Sequence, residues 1–133
     1  MDSSDKMIFW NELDGAALLN RVFSEPVKIS HVELFDFSVN RNGPSVIVSF
    51  DLIDQLPDKA PPKWGEFNRC RCGINCGGVD ELEINGISTR LNALVMISSI
   101  DGTNYVRFLS EKFKLSLKCK HIQFMGPSVY LDG

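Results

Sequence analysis

The chain has little of what most enzymes need. Only two histidines occur in 133 residues, His31 and His121. There is no Gly-rich phosphate loop, GxSxG elbow or HExxH helix, so the usual phosphate, acyl-transfer and zinc-protease chemistries have no local signature. A Cys–His nucleophile pair has no supporting motif either. No apolar run approaches the roughly 18 residues of a membrane helix. The opening MDSSDKMIFWNELD carries acids and only a short apolar patch, so no secretory leader is expected. Neither sign of charge dominates: 14 Lys/Arg stand against 17 Asp/Glu, a formal charge of −3, which argues against a general nucleic-acid binder. Low-complexity tracts and internal repeats are absent as well. No Asn-x-Ser/Thr site occurs, and four cysteines with no sign of pairing fit a reducing compartment, the cytoplasm.

What is present describes a β-rich domain. Hydrophobic residues make up 44% and charged residues 23%, ordinary globular values that predict a single domain over residues 1–133. The most informative stretch is FNRCRCGINCGGVDELEIN, residues 67–85. Cys70, Cys72, Ile74 and Cys76 fall at every second position and share one face of a strand, with Arg69, Arg71, Gly73 and Asn75 on the other. After Gly77-Gly78 the alternation resumes, with Leu82 and Ile84 inward and Glu81 and Glu83 outward. Similar patterning predicts strands over residues 27–39, 45–53, 91–100, 105–110 and 113–124. Asn42-Gly43, Asn85-Gly86 and Asp101-Gly102 are turn signals between them. In the last strand the phase slips near residues 120–122, which predicts a bulge. Residues 91–100 are the most apolar and are expected to be central, covered on both faces. A helix is expected from Asn11 or Asp14 to about Phe23, burying Leu13, Ala17 and Phe23, with Glu25-Pro26 ending it. Residues 1–6 are expected to fray. The fold class that follows is mainly β (α+β): an antiparallel meander sheet of about six or seven strands with one N-terminal helix packed on it.

Three constellations invite a function. Cys70, Cys72, Cys76 and Cys119 with His121 suggest zinc, but a knuckle needs C-x2-C at a turn, and here the parity with Ile74 favours small buried hydrophobes, reduced and metal-free. Lys112, Lys114, Lys118 and Lys120 could form a phosphate stripe. More often such a row is a solvated face or a protected edge, and Phe113 and Phe124 do not interleave as a base-stacking platform would. The acids are the third set. Residues 1–66 hold 6 Lys/Arg against 11 Asp/Glu, and residues 67–133 hold 8 against 6, so the first half is the better candidate for a basic partner. Asp51, Glu81 and Glu83 are expected to project from strands, while Asp54, Asp58 and Trp64 lie in or beside a long Pro-rich loop. Together these six are the candidate partner-binding residues.

With that layout, the chain resembles the immunity protein 50 family of bacterial polymorphic toxin systems. The resemblance is carried by Trp10 before the helix, Phe23 followed by Glu25-Pro26, and the strand of residues 32–37. It continues through the aliphatic strand of residues 45–53, residues 68–74 with the Gly77-Gly78-Val79 break, and Lys118-Cys119-Lys120. It spans residues 10–124. It implies a small cytoplasmic antidote, not an enzyme and needing no cofactor, that binds and neutralises a cognate toxin domain. It assigns no catalytic residues and no interface positions. The alternative is a generic β-rich binding or structural module, homodimeric through a sheet edge, with nucleic-acid binding third.

Overall fold

A computed structural model describes residues 4–132. Its nine strands form one sheet, antiparallel at every strand pair. They are β1 (Ser4–Lys6), β2 (His31–Asn40), β3 (Ser45–Leu52), β4 (Arg69–Gly77), β5 (Glu81–Asn85), β6 (Leu91–Ile100), β7 (Thr103–Leu109), β8 (Lys114–Cys119) and β9 (His121–Tyr130). The period-2 pattern does what it predicts. In β3, Val46, Val48 and Phe50 are buried while Ser45, Ile47 and Ser49 are half-exposed. Asp101-Gly102 turns β6 into β7 with both residues at positive φ, 50° and 81°, the geometry that matches the twist of a tight hairpin.

The strand count exceeds the expected six or seven for two reasons. Residues 4–6 do not fray at the backbone: Ser4, Asp5 and Lys6 pair with Ile100, Ser99 and Ser98. β2 covers only Leu91–Leu94 of the ten-residue β6, which leaves edge for the chain's start to occupy. Main-chain pairing needs no apolar side chains, so a polar tripeptide gives no warning. The second reason is a corner. The phase slip near residue 120 is not a bulge within one strand; it separates β8 from β9.

That corner governs the architecture. The strand order is β5-β8-β7-β6-β2-β3-β4-β9, two local meanders (β2-β3-β4 and β6-β7-β8) joined by the β2–β6 pair rather than one continuous meander. β8 and β9 lie toward opposite ends of this order yet are separated in sequence by Lys120 alone. The chain therefore turns a corner at Lys120, which brings the end of β8 beside the end of β4. Lys120 N–H donates to the Gly77 carbonyl at 2.9 Å, and Asp80 N–H donates to the Lys118 carbonyl at 3.2 Å. Gly78 sits at φ +65°, and a Cβ there would stand 2.7 Å from Lys120 Cγ, so glycine is required by both conformation and space.

Inside the bend lies one core. Trp10 is fully buried and stacks on Phe50 with ring centroids 4.9 Å apart; Phe124 lies 5.9 Å from Trp10 and Phe108 lies 6.1 Å from Phe50. The helix is shorter than expected, α1 (Ala17–Val22), and has no side-chain cap. Leu13 is buried as predicted, but Ala17 is exposed and Phe23 half-buried; Ala16, Leu19 and Val22 form the inner stripe. Asn11 and Asp14 do other work. Asn11 accepts the Val27 N–H and donates to Asn20, and the Asp14 carbonyl accepts the Phe124 N–H. α1 accordingly lies against β9. β6 is central in the order, but Asn92 and Leu94 are exposed on its outer face, so only one side is covered.

All four cysteines are unpaired and buried, as their parity predicts. Hydrogen bonding to Cys70 and then burial push the Cys72 thiol well above its ordinary range, and Cys119 together with burial does the same to Cys76. Cys72 and Cys76 thus pack as neutral small hydrophobes. Cys72→Ser should therefore cost about 1–3 kcal/mol, since its hydroxyl enters a buried position built for sulfur. A urea denaturation midpoint unchanged by that substitution would show the site to be polar after all.

Candidate functional site

The outer face of β2, β3, β4 and β9 carries the densest polar network in the described residues. Strand register assembles it. Glu33 faces Asp51, Asp51 faces Arg71, Arg71 faces Ser128, and Arg69 faces Tyr130. All these residues have outward parity. At Phe35 the β2–β3 register slips, and this bulge leaves a phenyl ring 60% exposed on the outer side.

Arg71 is the centre. Its Nε donates to Asp51 Oδ1 at 2.5 Å, and its Nη2 donates to the Tyr130 hydroxyl at 2.9 Å. The Tyr130 hydroxyl in turn donates to Asp51 Oδ2 at 2.5 Å. The guanidinium carbon lies 3.7 Å from the Phe35 ring centre and 5.0 Å from that of Tyr130, so the cation has two aromatic neighbours as well as its carboxylate. The hydrogen bond that Arg71 donates to Asp51 is the main cause that raises the Arg71 pKa further. Arg69 is looser, 3.5 Å from Glu33 and 3.4 Å from Asp132. Beside this network a shallow cavity of about 440 Å³ is lined by Phe35, Arg71, Tyr130 and Thr89, and another of about 580 Å³ by Glu33, Arg69, Asp54 and Asn92.

Tyr130 gives the network a pH signature. Burial, then the hydrogen bond and charge of Asp51, raise its pKa above the ordinary 10.0. The fold favours the protonated phenol. Its contribution to stability is thus complete below pH 10.0 and is lost as pH rises through the higher folded-state value. Wild-type stability should fall more steeply above pH 10.0 than that of Tyr130→Phe, which keeps the ring without the proton. Parallel alkaline titrations of the two proteins would sink this reading.

The six sequence-predicted partner residues do not form one patch. Asp51 projects from the outer face as its parity requires, but it is not at solvent: it is 6% exposed, covered by Arg71 and Tyr130. Asp54 is exposed at φ 58° and borders the cavity beside Glu33 and Arg69. Asp58 accepts both the N–H and the hydroxyl of Ser24, which hold its carboxyl below the usual range and tie the long loop to the end of α1. Trp64 is half-buried in a single 3-10 turn, Pro62–Trp64. Glu81 and Glu83 stand on β5, each close to a lysine of β8: Lys118 at 3.6 Å and Lys114 at 3.1 Å. Part of the lysine row thus answers acids of this chain. Phe35 and Tyr130 were not foreseeable as site residues. The available signal was the outward parity of Arg69 and Arg71 alongside Glu33 and Asp51, which places two cations and two anions on one face.

This chain matches the family model described as Immunity protein 50 over residues 15–130, from the segment before α1 to the last residue of β9. No curated protein and no solved structure matched. A match of that extent includes every strand from β2 to β9 and the helix, and it takes in all the residues that carried the resemblance except Trp10: the chain belongs to the immunity protein 50 family.

Proposed function

We propose that this protein is the antidote of a bacterial polymorphic toxin system, binding a cognate toxin domain in the cytoplasm and neutralising it without catalysis. The observation that carries the reading is family membership across nearly the whole chain. The surface supports it. The outer face offers an exposed aromatic, Phe35, next to an arginine already fixed by Asp51 and Tyr130, so little side-chain entropy is lost when a partner docks there. No helix among the described residues is long and apolar enough to cross a membrane.

Among the acids, Asp54, Asp58, Glu81 and Glu83 are the partner-facing ones in this reading, with Trp64 as a half-buried anchor beside the loop. Asp51 acts through Arg71. If the toxin surface is basic, reversing Asp54 and Glu83 to lysine should slow association about tenfold at low salt, with less effect as salt rises. The decisive experiment pairs this protein with the toxin domain encoded beside it. Pull-down and protection of cells expressing that domain are expected. Failure of the wild-type protein in both would overturn the antidote reading.

A further inference from the structure

The two end strands of the sheet are not equally available. Along β9 the segment before α1 lies against the outer edge: Asp14 bridges Gln123, its carbonyl accepts the Phe124 N–H at 2.7 Å, and its carboxylate is 2.8 Å from His121 Nε2. β5, at the other end, has one strand neighbour among the described residues, β8. Its other edge leaves main-chain donors and acceptors without a strand to pair with.

The side chains of β5 say what could pair there. Glu81 and Glu83 share one face, and Leu82 and Ile84 share the other. β8 supplies a pattern that satisfies both faces: Lys118 opposite Glu81, Leu117 opposite Leu82, Leu115 opposite Ile84, and Lys114 within reach of Glu83. The two glutamates remain 69% and 55% exposed, so each can meet a second cation on its free side. Leu82, at 37% exposure, leaves apolar surface on the opposite face. A second copy of β5 would set glutamate against glutamate, which like-charge repulsion disfavours.

We infer that the open edge of β5 receives an extended segment of the toxin carrying Lys or Arg at alternate positions with aliphatic residues between them. The inference rests on the antidote reading for the identity of the partner. Main-chain hydrogen bonds would supply attachment, and the Glu81–Glu83 face would supply selection and register.

The probe is a fluorescent peptide of alternating lysine and valine, compared with its glutamate–valine counterpart and with a lysine peptide N-methylated at alternate backbone nitrogens. Binding of the lysine peptide is expected to be at least about tenfold tighter than that of either control. The double variant E81K/E83K should lose at least about tenfold for it, and E81Q/E83Q a smaller part. Circular dichroism melts of both variants show that the fold is kept. Equal binding of the three peptides, or no change in either folded variant, would overturn the inference. So would a dimer of the wild-type protein that E81K/E83K abolishes, since a second copy would then occupy the edge. The toxin domain separates the two readings. If it is bound and neutralised equally by wild type and E81K/E83K, the edge is not its site and the antidote reading stands. If wild type fails to bind it while the lysine peptide binds as expected, the antidote reading falls, and the toxin as occupant falls with it.

Discussion

Trp10→Ala is expected to lower folding stability by about 3–5 kcal/mol, the largest loss available from any one side chain of this core. Trp10 is 0% exposed and touches two rings of the β2–β9 half of the sheet, Phe50 in β3 and Phe124 in β9. Alanine removes the apolar surface and both aromatic contacts, and the surrounding strands cannot collapse into the space because their registers are fixed by hydrogen bonding. Against a total stability of about 5–15 kcal/mol, such a loss leaves a protein close to unfolding at physiological temperature. Trp10→Phe should cost much less than the change in volume suggests. The indole N–H is buried without a hydrogen-bond partner among the described residues, an arrangement that itself costs about 1–3 kcal/mol and that phenylalanine relieves. Urea denaturation would test both, with the midpoint falling and the slope unchanged. A loss below about 1 kcal/mol for alanine would mean that the core repacks around the gap.

Arg71→Ala should be nearly as damaging, by about 3–5 kcal/mol, for an electrostatic reason. It leaves the Asp51 carboxylate, with its side chain 8% exposed, without its cation. Tyr130 still donates one hydrogen bond to it, which does not replace a charge. Converting both Asp51 and Arg71 to leucine should cost less than Arg71→Ala alone, because no buried charge is then orphaned. The resulting non-additivity in a double-mutant cycle is the readout. Additive losses would show the pair to be two independent surface residues. Binding separates the variants further: if Arg71 is presented to the toxin, the double leucine variant folds yet protects poorly.

The sequence foretold inward and outward faces well and said little about who faces whom. Parity alone buried Cys70, Cys72, Ile74 and Cys76, and it placed Asp51 and Arg71 outward. It could not bring Asp51 opposite Arg71, since that depends on the β3–β4 register, and so an acid assigned to solvent is in fact covered. Ala17 shows the same limit in the helix. In six residues the 3.6 period has too few repeats to choose between Ala16 and Ala17, and packing against β9 decides. The slip near Lys120 was legible, but a bulge and a corner leave the same trace in a hydrophobic pattern. Only the partners of the flanking strands, β5 and β7 on one side and β4 on the other, tell them apart.

That corner also sets the order in which the molecule can form. Each meander closes from neighbouring hairpins, so β2-β3-β4 and β6-β7-β8 can nucleate separately. The joints cannot. Val32 must find Ala93, and Cys76 must find Ile122, across long stretches of chain. High contact order of this kind places folding in the millisecond-to-second range rather than the microseconds of a helical bundle. The chain has to turn at Lys120 for β9 to reach β4, so the closing contacts arrive late, and substitutions at Gly78 or Lys120 should speed unfolding more than they slow folding. For a protein whose proposed task is to be ready before its toxin acts, the half-life of the folded sheet then matters more than the speed of its assembly.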